Sequence, residues 1–276
     1  MSRSNHPLTV AFQGEHGAYS EQAAMAHFQN ANTMPTRTIR AVFKSVEDGQ
    51  SNFGIVPAEN SLEGSVNQTY DMLLESPLKI RGEAKIRVAH CLVAQPGTAI
   101  SDLKTVYSHP QALAQCANFL DTLRIEAIPA YDTAGSARMI AEKKLKGAAA
   151  VASERAAELY GLVILQRNIE DLSGNFTRFF MIGKEDMPRT GNDKTSIVFG
   201  TKHVPGSLHR ALSEIADRQI NLTKIESRPT RTTPWEYHFF IDFHGHRTDK
   251  VCAEALEAIG DSTTFLKILG SYPRAD

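Results

Sequence analysis

Residues 174–180 read GNFTRFF, three phenylalanines set around one hydroxyl and one guanidinium. Successive side chains of a strand face opposite sides. Phe176, Arg178 and Phe180 therefore share one face, and Thr177, Phe179 and Met181 the other. A hydroxyl and a cation inside an oily strand are costly to bury. Two readings account for them: an edge strand with one wet end, or a strand bordering a cleft. Two further polar spots invite the same question. Asn60 follows Glu59 in PAENS, between an apolar strand and the next helix, where it either shapes a turn or faces a site. Ser108 and Gln115 are seven residues apart, on one helical stripe with Gln111 and beside an apolar face, so they form either a solvated stripe or part of a site.

The usual machinery of other chemistries is missing. No G-x-G-x-x-G, phosphate-binding loop or G-x-S-x-G elbow stands after a strand. Ser108 and His109 are chain neighbours, a poor arrangement for a nucleophile and its base. His244 and His246, with Asp242 nearby, read as a solvated hairpin rather than a metal site. Cys91, Cys116 and Cys252 are odd in number and far apart, which points to buried thiols in a reducing compartment. The sequence therefore implies chemistry done by side chains and the substrate's own electrons, with no cofactor and no metal.

Such residues need elements to hold them. The first two-thirds of the chain repeats apolar strand, polar turn, amphipathic helix. Strands are expected at 8–12, 53–57, 103–107, EAIPAY and 147–152, and the helix after SHPQ carries Leu113, Cys116, Ala117 and Leu120 on one side. This alternation predicts an α/β fold with mostly parallel strands. Ser20, Asn60 or Ser61, Ser108, Asp132 or Thr133, and Ser153 stand where helix N-caps belong. All lie at carboxyl ends of strands, where open α/β sheets bind ligands and helix N-termini favour anions. A polar stretch at 184–194 reads as a linker. Beyond it the order becomes β-α-β-β-α-β, a ferredoxin-like second domain of about 80 residues.

The 276 residues are 42% hydrophobic and carry a formal net charge of −1. That balance excludes a general nucleic-acid or membrane-surface binder, both of which need a basic field. The opening MSRSNHPLTV lacks the apolar core of a signal peptide, and no run is long and apolar enough to span a membrane, so a cytoplasmic location is expected.

VPAENSLEGSVNQTYDML, YSHPQALAQC, DTAGSA and above all NFTRFF resemble prephenate dehydratase, and NLTKIESRP with WEYHFFIDF resembles its attached ACT regulatory domain. The resemblance runs from about Leu8 to Pro273. It implies a two-lobed catalytic domain at 8–187, like a type II periplasmic binding protein, crossed near Arg87 and Asn168, then an α+β ferredoxin-like ACT domain at 193–276. It implies a lyase that converts prephenate to phenylpyruvate, CO2 and water. Thr177 matches the essential threonine of the T-R-F motif. Asn60, Ser61, Ser108, Gln115, Arg178 and Phe179 match positions around the substrate. Control by L-phenylalanine is implied where two ACT domains pair, through Gly206, Ser207, Leu208, Asn221, Leu222, Glu226, Ser227 and Arg228, in a homodimer or dimer of dimers. Ser207 replaces the family's usual alanine, which bears on the strength of feedback. Arogenate dehydratase, and a non-catalytic two-lobed anion sensor with an ACT module, are the alternatives.

Overall fold

Short apolar runs become strands and the amphipathic stretches between them become helices. The computed structural model describes residues 8–275 apart from 231, 232 and 234. The chain opens with β1 (Thr9–Gln13), α1 (Tyr19–His27), β2 (Asn32–Thr36), α2 (Ile39–Glu47), β3 (Phe53–Asn60), β4 (Gly64–Ser65), α3 (Asn67–Glu75) and β5 (Lys79–Arg87). A second run gives β6 (Cys91–Ala94), β7 (Thr105–Ser108), α4 (Pro110–Ala114), α5 (Ala117–Leu123), β8 (Glu126–Pro129), α6 (Thr133–Lys143), β9 (Ala148–Ala152), α7 (Glu154–Tyr160) and β10 (Val163–Gln166). Then follow β11 (Phe176–Gly183), β12 (Asp193–Gly200), α8 (Ser207–Ala216), β13 (Leu222–Pro229), β14 (Tyr237–His244), α9 (Lys250–Ser262) and β15 (Phe265–Pro273).

Among the described residues these strands form three sheets. The first runs β2-β1-β3-β11-β5 with β4 hooked onto β3, the second β10-β6-β9-β7-β8, and the third β13-β14-β12-β15. Parallel pairing holds where helices intervene: β1 lies parallel to β2 and β3, and β7 to β8 and β9. β6 runs antiparallel to β9 and β10. The second sheet is covered on both faces. Leu113, Cys116 and Leu120 pack with Val106 and Val151 on one side, and Ala137, Ile140 and Ala156 with Val93 and Ala150 on the other. The β-α-β-β-α-β order expected for the tail is the order found. In the third sheet β12, β14 and the two helices bury Ile197, Phe199, Ile241 and Phe243.

β11 lies between β3 and β5. An edge strand with one wet end therefore does not explain Thr177 and Arg178, because both sides of their strand are paired. Three expected helix caps are also corrected: neither Asn60 nor Ser61 caps α3, which starts only at Asn67. Ser20 sits inside α1, with its hydroxyl turned back onto the Gln13 carbonyl, and the cap of α4 is His109, not Ser108. Asp132 and Ser153 do cap, each accepting a backbone N–H three residues on.

The chain divides into two units, one from residues up to Asn67 and Ala84–Phe179, the other from Gln68–Glu83 and Phe180 onward. In the first unit the Gly14–Gly17 loop does structural work. Its Gly17 has φ +91°, and an added Cβ would stand 2.9 Å from Ala156. The close approach lets Ser153 Oγ donate to Gly17 O at 2.7 Å and Tyr160 Oη to His16 O at 2.8 Å. Burial pushes the Glu21 carboxyl up, but the Gly17 N–H, His16 and Thr33 outweigh it and hold it below its usual range. In the second unit, Lys194 donates to Glu83 at 2.7 Å across a buried pair.

Candidate active site

The chain passes from the first sheet to the second between Arg87 and Cys91, and returns between Gln166 and Phe176. The two crossings are hydrogen-bonded to each other: Val88 N donates to Asn175 O at 2.8 Å and Ile169 N to His90 O at 3.0 Å. Glu170 accepts from the His90 N–H at 2.9 Å and pairs with Arg87 at 3.0 Å. Thr177 stands two residues past the second crossing's Asn175.

Amide chemistry fixes the polarity of what surrounds Thr177. Asn60 Oδ1 accepts from the backbone N–H groups of Leu62 (3.0 Å) and Glu63 (3.1 Å), so its Nδ2 must face the other way. Nδ2 then donates to Asn175 Oδ1 at 2.6 Å and to Thr177 Oγ1 at 3.0 Å. Asn175, wholly buried, donates from Nδ2 to Gln115 Oε1 at 2.9 Å. Thr177 is thus an acceptor of a fixed N–H, and its own proton has no acceptor among the described residues. A hydroxyl that accepts a hydrogen bond is polarised toward giving its proton. The site can supply a directed proton donor without any charged group.

Gln115 reaches this cluster because the expected single helix breaks. α4 ends at Ala114 and α5 starts at Ala117, with Cys116 at φ −118° between them. Leu113, Cys116 and Leu120 still fill one core, as their spacing required, but Gln115 is freed from the stripe and tied down by Asp171 N donating to its carbonyl at 2.8 Å. Ser108 does not share a helical stripe with it, since it ends strand β7.

The other expected substrate residues are placed less openly. Ser108 is fully buried and donates to Val151 O at 2.6 Å. The Ser61 hydroxyl donates to Gly174 O at 2.8 Å and accepts from Phe176 N at 2.9 Å, pinning the loop after β3 to the start of β11. Arg178 Nη1 lies 3.8 Å from Glu59 Oε2, and Phe179 is buried. Asn60, Gln115 and Thr177 are therefore brought together by a shared network, whereas Ser61 and Ser108 have their hydroxyl protons on backbone carbonyls. Asn175, His90 and Tyr19 belong to the same network and were not singled out from the sequence. The signal existed: Asn175 shares the Thr177 face of the opening heptapeptide, and His90 is a lone polar side chain in VAHCLVA. A separate cavity of about 250 Å³, lined by Glu15, Arg37, Tyr131, Gly135, Ser136 and Arg138 among others, shares no residue with the Thr177 cluster. The cysteines are free and buried, and burial pushes Cys116 up to about 12, so none is a ready nucleophile. His246 is buried and bonded to Thr248 and to Met187 O, not solvated as expected.

In the tail, Gly206 at φ +80° opens α8, and Ser207 accepts from Arg210 at 3.1 Å, with Leu208 packed on the domain core. A bulge between Leu222 and Lys224 changes the facing of β13. Leu222 packs on the helix side with Phe243. Lys224, Glu226 and Arg228 instead follow Phe240, whose ring packs 5.1 Å from Tyr70 of α3. Lys224 Nζ lies 5.4 Å over the Tyr70 ring and 3.2 Å from Glu226, while Arg228 pairs with Asp71 at 2.7 Å. Asn221 accepts from His244 N at 2.9 Å, and Ser227 lies on the exposed face.

The prephenate dehydratase family model matches residues 10–187 and the ACT domain model residues 195–261. Arogenate dehydratase/prephenate dehydratase 2 of Arabidopsis thaliana is 46% identical over 96% of this chain and 73% of its own. The bifunctional chorismate mutase/prephenate dehydratase of Aquifex aeolicus is 45% identical over 97% of this chain and 74% of its own. Two solved structures each superpose with a TM-score of 0.89. GqqA, described as a quorum-quenching acylase, is 35% identical and covers 97% of this chain and 98% of its own. Prephenate dehydratase of Arthrobacter aurescens in complex with L-Phe is 34% identical and covers 98% and 91%. With a family model covering well over half its length and relatives this similar, the chain belongs to the prephenate dehydratase family, with a two-lobed α/β catalytic part followed by an ACT domain.

Proposed function

We propose that this chain converts prephenate to phenylpyruvate, CO2 and water, under feedback from L-phenylalanine, as a cytoplasmic homodimer or dimer of dimers. The observation that carries this reading is the Thr177 hydroxyl, which accepts from Asn60 and keeps its own proton uncommitted. Loss of CO2 from the ring carbon leaves an electron pair that moves through the ring and breaks the bond to the ring hydroxyl. Aromaticity drives the step, so no electron sink is required. The protein's part is a donor at the departing oxygen, and a threonine hydroxyl held by Asn60 helps most as negative charge grows there. Arg178, half-buried beside Glu59, is proposed to order the strand or hold a carboxylate of the dianion. The effector reading is supported by the L-Phe complex of the Arthrobacter relative.

Two observations favour other readings and are tested directly. The Arabidopsis relative carries both dehydratase names, so arogenate is the rival substrate. Purified protein is expected to release phenylpyruvate from prephenate with a higher kcat/KM than it shows for arogenate. The reverse order would make it an arogenate dehydratase, and turnover of neither would leave a sensor. Similarity to an acylase raises acyl transfer, but the Ser61 and Ser108 protons are spent on carbonyl oxygens and Cys116 is held protonated. Exhaustive chelation and dialysis are expected to leave turnover unchanged. Restoration of lost activity by one added divalent ion would require a metal in the mechanism.

A further inference from the structure

Behind Gln115 the network continues to a side chain that the reaction does not touch. His90, on the first crossing and 2% exposed, places Nε2 3.1 Å from Gln115 Oε1. That oxygen already accepts from Asn175, so it is an acceptor and Nε2 must carry the proton. Tyr19 Oη lies 2.7 Å from Ala89 O and 3.2 Å from His90 Nδ1, and the two rings meet edge to face. Burial holds the imidazole below its usual range despite the opposing pull of Gln115 and Glu170. The single Tyr19 proton goes to Ala89 O, so Tyr19 braces His90 through that tie to the preceding carbonyl and through the edge-to-face ring contact.

We propose that His90, braced by Tyr19, is a positioning residue for the dehydration: its Nε2–H fixes the Gln115 amide, and through Gln115 it keeps Asn175 Oδ1 turned to Asn60, so that the Asn60 amide, already oriented by the Leu62 and Glu63 N–H groups, is held where it donates to Thr177. Gln115 can present either end of its amide, and its two ends look alike in shape. If Oε1 and Nε2 exchange places, Asn175 Nδ2 faces another N–H, a repulsion that turns the Asn175 amide as well. Asn175 Oδ1 then no longer accepts from Asn60. Two donors on Gln115 Oε1, from different crossings, resist that exchange where one would not. The Glu63 carboxylate, 3.5 Å from Gln115 Nε2, favours the same orientation.

This inference rests on Thr177 being the donor, so Thr177→Val is measured beside it. Replacing His90 by leucine removes the ring donor while retaining apolar bulk, and kcat is expected to fall by roughly 5- to 50-fold, the range for one lost buried hydrogen bond. KM should change little, because the effect is on alignment of the donor. His90→Gln places an amide N–H near the Nε2 position and should recover most of kcat. Tyr19→Phe, a milder change, should lower kcat several-fold with KM unaltered. If His90→Leu does not fold, the comparison of His90→Gln and Tyr19→Phe with the unaltered protein carries the test. Wild-type kcat in folded His90→Leu or in Tyr19→Phe overturns the proposal. So does a His90→Gln protein no better than His90→Leu, or an effect seen in KM alone. Near-normal turnover in Thr177→Val would instead remove the donor assignment beneath it, a failure distinct from intact turnover in the His90 and Tyr19 variants alone.

Discussion

Thr177→Val is expected to lower kcat by about 10²–10⁴-fold, the usual size for losing a positioned proton donor, with little change in KM or in the melting temperature. Valine keeps the β-branched shape of threonine on a strand that is paired on both sides, so the exchange removes one hydroxyl and little else. The network supplies a reason for the strain on a folded protein to be small. Asn60 Nδ2 retains acceptors at Asn175 Oδ1 and Phe176 O when Oγ1 is gone, so no buried donor is orphaned. Thr177→Ser separates hydroxyl from geometry. It restores the donor but frees its rotamer, and its kcat should lie between valine and threonine. Steady-state kinetics on prephenate, with thermal melts of all three proteins, decide the matter. A folded valine variant with near-normal kcat would show that Thr177 is structural and that the leaving oxygen is protonated elsewhere.

Thr177 could be picked out from sequence because burial of a lone hydroxyl among phenylalanines is expensive, and expense that local structure does not explain points to a site. The same reasoning applied to Asn60 gave a turn residue or a site residue, and the structure makes it both: one end of its amide forms the turn, the other holds Thr177. The order of elements was equally legible, since alternating periodicities of two and 3.6 residues are local properties. The break between α4 and α5 was not. Leu113, Cys116 and Leu120 bury together whether the helix is continuous or broken at 116, so the apolar stripe carries no information about the break. That break is what delivers Gln115 to the network, and its loss from view also hid the network.

His90 and Asn175 were missed for a related reason. Each is a single polar residue whose partner lies far along the chain, His90 to Gln115 over 25 residues and Asn60 to Asn175 over 115. Sequence shows the cost of burying such a group but not the partner that offsets it. Ser20 and Ser108 illustrate the converse error. Both have the right residue type at the right place for a cap, yet each hydroxyl turns to a strand carbonyl instead, because a strand end brings that carbonyl closer than the helix N–H groups.

Phenylalanine is expected to lose most of its hold on the enzyme when Asp71 becomes asparagine. β13 carries the segment proposed to meet the effector, and Arg228 near its end pairs with Asp71 of α3 at 2.7 Å. β15 holds the other end of the same helix: Lys267 Nζ donates to Leu73 O, Leu74 O and Ser76 O at 2.7–2.9 Å, capping carbonyls that the helix leaves open. α3 begins at Asn67, four residues beyond Glu63, whose N–H is held by the same Asn60 amide that serves Thr177. A ligand that binds one arrangement of β13 better than another therefore biases α3, and the chain leads from α3 to the catalytic amide. Cutting the tail away would be a poor test, because it would strip Tyr70 of Phe240, Phe180 of Tyr272 and Glu83 of Lys194 together. Asp71→Asn keeps the hydrogen-bond acceptor and removes only the charge, so turnover without phenylalanine should stay close to normal. Coupling free energies of about 1–3 kcal/mol correspond to roughly 5–150-fold changes in affinity. By reciprocity the same factor separates phenylalanine affinity with and without a substrate analogue. Calorimetry should find that ratio clearly above or below one in the unaltered protein and close to one in Asp71→Asn, with phenylalanine still bound. An unchanged ratio in the folded variant would place the coupling outside the Arg228–Asp71 contact.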